Sequence, residues 1–81
     1  MKARVFVTLK AGVLDPQGRA VGRALADSGF AEVQDARVGK LIELEMAETD
    51  PARARERISA MCEKLLANTV IERFDIELVG R

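Results

Sequence analysis

The chain has 81 residues, 13 basic and 13 acidic, with one cysteine and no histidine, tyrosine or tryptophan. It reads as a single domain, residues 1–81, small enough to bury only roughly 60–65% of its unfolded surface, so a partner surface is a natural supplement to its core. Zero net charge argues against nucleic acid, one cysteine excludes an internal disulfide, no apolar run nears the ~20 residues of a membrane span, and no apolar leader is seen at the start, so the cytoplasm is the expected location.

From Lys2 to Lys10 the residues Ala3, Val5, Val7 and Leu9 alternate with Arg4, Phe6, Thr8 and Lys10, the period of a strand with one apolar face. Ala11 and Gly12 open a loop. Asp15 and Pro16 then form a helix start: the carboxylate accepts from free amides of the first turn, and proline loses nothing at the first helical position. Gly18 is the odd member, because glycine in a helix costs about 0.5–1 kcal/mol relative to alanine. A close approach of other chain to the backbone would account for it, and so would plain tolerance of glycine at a helix start. The helix is expected over Pro16–Ser28, with Ala20, Val21, Ala24 and Leu25 as its apolar stripe. Gly29 stands where a left-handed C-terminal residue belongs, and Phe30 follows to fold back.

Between Glu32 and Ala47 the pattern is extended again. Ile42, Leu44 and Met46 alternate with Glu43 and Glu45 as a half-buried strand, while Val33–Val38 is a weaker strand signal. Gly39 and Lys40 read as a hairpin turn or as a bulge in one bent strand; a hairpin-like kink is the expectation carried forward. Asp50 and Pro51 repeat the helix start 35 residues after the first. The second helix is expected from Pro51 to Leu66, with Ala54, Ile58, Met61, Cys62 and Leu65 on one face and Asn68 and Thr69 closing it. Cys62 in that stripe reads as a small buried hydrophobe. The last strand is expected over Val70–Val79, with Val70, Phe74, Ile76 and Leu78 on one side and Arg73, Asp75 and Glu77 on the other.

The order is β-α-β(β)-α-β, two copies of one unit sharing a sheet. An antiparallel sheet with two helices on one face is a ferredoxin-like α+β variant. Its other face would carry Phe6, Leu41, Ile71 and Val79 among charges, so dimerisation through the sheet is expected.

The chemical inventory is thin. Without histidine no Ser–His–Asp or Cys–His arrangement exists, and a zinc site lacks ligands. No phosphate-binding glycine motif occurs. The many carboxylates read as solvated faces. No catalytic residue, metal or bound cofactor is therefore expected.

Three stretches carry a family resemblance: Val7–Lys10 leading to Val13–Gly18, then Val33–Lys40, then Cys62–Glu72. In this order they span nearly the whole chain and resemble PurS, the small subunit of phosphoribosylformylglycinamidine (FGAM) synthase. The resemblance implies a non-catalytic subunit of purine biosynthesis that acts as a homodimer. It would bridge a glutaminase (PurQ-type) and a synthetase (PurL-type) subunit and assist ammonia transfer between them. The complex would convert formylglycinamide ribonucleotide and glutamine to FGAM and glutamate, with ATP and Mg used by the synthetase subunit and none by this chain. The residues favoured for partner docking are Gln17, Gly18, Asn68 and Thr69. With them stand Asp35, Arg37 and Lys40, a set of mixed charge (with Gln34) suited to fixing register across an interface. The ordinary readings are cap and turn residues at Asn68 and Thr69 and a solvated edge strand for Gln34, Asp35, Arg37 and Lys40. Arg53, Arg55 and Arg57 crowd the positive end of the second helix; Glu48, Asp50 and Glu56 would offset them, and an acidic partner is the functional reading.

Three other classes compete. A small-molecule regulatory module of the same fold would show a thermal shift with an amino acid or nucleotide. An RNA-binding domain would need aromatics on its central strands, and Phe6 alone serves. An acylphosphatase-like enzyme would need an arginine in the loop after the first strand, and Lys10–Val13 has none.

Overall fold

Why the middle strand buries so fully is clear from the sheet order. The computed structural model describes residues 1–79. In it β1 (Lys2–Leu9) lies between β2 (Lys40–Glu45) and β3 (Glu72–Val79), antiparallel to both. Val5 sits in register with Ile42 on one side and Ile76 on the other. Period-two alternation sends Ala3, Val5 and Val7 to one face, where all three are buried. Ile42, Leu44, Phe74, Ile76 and Leu78 flank them there.

The second helix, α2 (Pro51–Met61), covers this face with Ala54 and Ile58. Asp50 caps it as expected, its Oδ1 accepting from the Ala52 amide at 3.1 Å. Cys62 is buried in the same cluster; burial, and then the neighbouring Glu63, push its thiol pKa up. The helix continues to Leu66, but its last turn, Cys62–Leu66, is a π turn, with the Ala67 amide donating to the Cys62 carbonyl at 3.0 Å. The wider turn changes the phase of the stripe. Leu65, expected on the core face, is turned out at 81% exposure, while Leu66 and Ala67 take the inward places.

Three other expectations change. β3 begins at Glu72, and Val70 lies in the preceding turn at 80% exposure. There Asn68 takes the Ile71 and Glu72 amides on its carbonyl, so the chain turns before it pairs. Residues 33–39 form no strand and no hairpin with β2. Two of their amides go to carboxylates instead, Ala36 to Asp35 and Val38 to Asp15, and Val33 donates to the Phe30 carbonyl. Amides taken by side chains are not offered to a ladder.

The third change concerns the first helix, α1 (Pro16–Asp27). It does not share the covered face of the sheet with α2. Its contacts with the strands and with α2 are marginal at most, and it extends the molecule to 47 × 27 × 14 Å. Gly18 and Gly22 face Ala36, so α1 lies along the 33–38 segment. Its end is as expected: Gly29 has φ +102°, and the Gly29 and Phe30 amides donate to the Ala26 and Leu25 carbonyls, a Schellman motif.

The uncovered sheet face carries Phe6, Leu41 and Ile71, all exposed, beside Arg4, which bridges Glu77 at 2.9 Å and Glu43 at 3.4 Å.

Candidate functional site

The two sequence stretches around Asp15 and Val38 meet at one carboxylate. The Gly18 amide donates to Asp15 Oδ1 at 2.8 Å, closing the helix cap. The Val38 amide donates to Oδ2 at 3.0 Å, and Arg37 Nε stands 3.9 Å from the same oxygen. Arg37 Nη2 also donates to the Leu9 carbonyl at 3.0 Å, which ties the segment to the end of β1. These donors, Gly18 first, then Val38, then the Arg37 charge, hold the Asp15 carboxyl below the usual aspartate range. Its side chain is only 11% exposed.

Gly18 explains itself here. A Cβ at that position would collide with the Ala36 carbonyl oxygen and come within 2.5 Å of Asp15 Oδ2. The close approach raised by the sequence is therefore made by the chain's own 36–38 segment. Gly39 is pressed in the same way: a Cβ there would lie 2.6 Å from the Val7 carbonyl oxygen.

Beside this junction lies an open groove of about 370 Å³, lined by Asp15, Gln17, Gly39, Lys40 and Glu72 together with the C-terminal end of β1. Each of the three resembling stretches contributes to it. Lys40 reaches across toward the Leu66 carbonyl at 3.4 Å. Glu72 accepts from the Asn68 amide at 2.7 Å, and Asn68 Oδ1 accepts from Val70 at 3.2 Å. So the structure brings Gln17 and Lys40 together in the groove, with Asn68 and Thr69 in the turn behind Glu72. Asp35 and Arg37 line a second recess on the other side of Asp15, with Arg19 and the 12–14 loop. Gly18 is buried and lines a further recess with Gly22, Val33 and Ala36.

Asp15, Glu72 and Gly39 were absent from the docking set read from the sequence. The helix-start signal at Asp15 was visible, but its second partner, Val38, lies 23 residues away and no local pattern announces it. Of the three arginines on α2, Arg53 lies 3.5 Å from Glu48 and Arg55 donates to the Ile76 carbonyl at 3.2 Å, so two of them serve the protomer itself. Among the described residues no group of three His, Cys, Asp or Glu side chains is placed to hold a metal ion.

The sequence fits the family model described as PurS, phosphoribosylformylglycinamidine (FGAM) synthase, over residues 2–80. The chain belongs to the PurS family. It is 50% identical over 80 residues to the phosphoribosylformylglycinamidine synthase subunit PurS of Bacillus subtilis, covering 96% of this chain and 94% of that one. With the PurS subunit of Methanocaldococcus jannaschii it shares 40% identity over 77 residues, 95% of this chain and 93% of that one. The crystal structure of the M. jannaschii PurS, a subunit of formylglycinamide ribonucleotide amidotransferase in the purine biosynthetic pathway, superposes with a TM-score of 0.90 over 99% of this chain and 96% of that one. A chain of the Thermotoga maritima PurLQS structure, 31% identical, superposes with a TM-score of 0.88 over 96% of this chain and 95% of that one. PurS-family membership makes this chain an FGAM synthase subunit of purine biosynthesis, as the resemblance implied.

Proposed function

We propose that this chain is the non-catalytic small subunit that joins a PurL-type synthetase and a PurQ-type glutaminase and assists the passage of ammonia between them, acting in the cytoplasm as a homodimer. The observation that carries this is the near-complete superposition on a chain of the T. maritima PurLQS structure. The chain's own chemistry supports the same division of labour. A cysteine glutaminase needs a histidine partner, and the sequence holds no histidine. ATP and Mg act in the synthetase subunit, and this chain contributes surface. Its sheet offers one face carrying Phe6, Leu41 and Ile71, which a second copy would cover. The groove of Gln17, Lys40 and Glu72 is the place for the other subunits.

The test uses purified synthetase and glutaminase subunits with and without this chain, supplied with either glutamine or ammonium. Glutamine-driven FGAM formation is expected to require the chain, and ammonium-driven formation is not. Equal glutamine-driven turnover without it would overturn the reading.

A further inference from the structure

Among the described residues, α1 is the one long element that no other long element holds. Its contacts with the strands and α2 are marginal. What fixes it is a junction of few atoms: the Asp15 carboxylate between the Gly18 and Val38 amides, the Arg37 side chain between that carboxylate and the Leu9 carbonyl, and the seating of Ala36 against Gly18. One carboxylate thus does two separable things. Oδ1 caps the helix, and Oδ2 binds the segment that runs from the end of α1 back to β2.

We propose that Asp15 is a positioning residue for FGAM synthase: through Oδ2 it clips the 36–38 segment to the start of α1 and sets the direction in which that helix leaves the sheet. Released, α1 and residues 30–38 swing as one arm while α1 stays helical and the sheet stays folded. A subunit whose arm already points the right way binds its partners without the entropic cost of ordering it. This rests on the bridging function proposed above.

Asp15→Asn separates the two roles. The asparagine oxygen still caps, since asparagine is as good an N-cap as aspartate. Its amide nitrogen is a donor and cannot accept from Val38, and it carries no charge for Arg37. Two readouts apply. In amide exchange of the whole chain, Val38 is expected to lose protection, while Gly18, the interior of α1 and the strands keep theirs. In the reconstituted complex, about three- to tenfold more Asp15→Asn chain is expected for half-maximal glutamine-driven turnover, with the maximum retained. Arg37→Met, which leaves both Asp15 hydrogen bonds, is expected to shift the titration in the same direction by less.

Unchanged protection at Val38, or loss of protection in the sheet as well, would overturn the clip. An unchanged titration with Val38 exposed would overturn its role in the synthase. The native chain in the same titration guards the underlying reading: if it fails to support glutamine-driven turnover, the bridging function is at fault and not Asp15.

Discussion

The two halves of this protomer are held by different physics. In the half made of the sheet and α2, side chains from four elements close over one another, and Ala3, Val5, Val7, Ala54, Ile58 and Cys62 all fall at 1% exposure or below. In the half made of α1 and the 30–39 segment, the one buried helical residue is Gly18, which brings no side chain to bury. The first half is stabilised by apolar area, the second by a carboxylate with several donors and by glycines that let backbones touch. Both helices start with the same Asp-Pro pair, yet Asp50 takes a local amide at Ala52 whereas Asp15 takes one from 23 residues away. Equal caps, then, do not make equal packing; the face behind the cap decides it.

The strongest way to break the first half is Ile58→Ala. Ile58 is fully buried among strand residues, so the change is expected to cost about 2–5 kcal/mol. That is a large part of the ~5–15 kcal/mol that holds a typical domain folded. Urea unfolding followed by circular dichroism would show a falling midpoint. A midpoint unmoved by the change would mean that α2 does not seat as described.

Gly18→Ala tests the second half with the sign reversed. In an ordinary helix that substitution gains about 1 kcal/mol. Here the new methyl group meets the Ala36 backbone and the Asp15 carboxylate, so a loss of about 1–3 kcal/mol is expected, felt in α1 and the 33–38 segment and not in the sheet. Faster amide exchange confined to those residues is the expected record, and a gain in stability would show that the segment does not press on the helix.

Acid offers a gentler probe of the same contrast. Asp15 has its pKa lowered by the Gly18 and Val38 amides and by Arg37, so its folded value lies below its unfolded one. The stabilisation is therefore fully present above the unfolded value, about pH 4, and fades as the pH falls through the lower folded value. Protection at Val38 should drop in that acid window before protection in β1 does. In Asp15→Asn the step should be missing.

These contrasts also show what the sequence could and could not carry. Ala3, Val5 and Val7, or Ile42 and Leu44, announce their burial by alternation, a local signal that the sheet obeys. The Asp15 and Asp50 caps and the Gly29 terminus were legible for the same reason, since each is settled within a few residues. The 33–38 segment was not. Its alternation resembles a strand, but two of its amides are claimed by carboxylates, one of them distant, and no local pattern states who claims an amide. The apolar stripe of α1 misled in a related way: Val21 remains 43% exposed, because periodicity shows that a face is apolar and not which surface will cover it. Of the docking residues, Gln17 and Lys40 came together in one groove, whereas Asp35 and Arg37 fell on the far side of a buried junction that only the fold creates.

The smallest expected effect is also the sharpest discriminator within the packed half. An unbroken α-helix would bring Leu65 around beneath Met61 and Cys62, and truncating it would then cost as much as any core leucine. With the π turn at Cys62–Leu66, Leu65 stands 81% exposed and Leu66 packs against the core. Leu65→Ala is therefore expected to change stability by less than about 0.5 kcal/mol, the range of ordinary surface substitutions. Leu66→Ala, one residue on, should cost more, toward the ~2–5 kcal/mol of a core leucine in proportion to its partial burial. Denaturant midpoints of the two variants, compared side by side, read the phase of the helix directly. If Leu65→Ala proves the costlier of the two, the last turn is α-helical and the stripe keeps its sequence phase to the end. The expected order requires the extra residue of the π turn, the device that lets one helix end on Leu66 and Ala67 and still hand the chain to the Asn68 turn that starts β3.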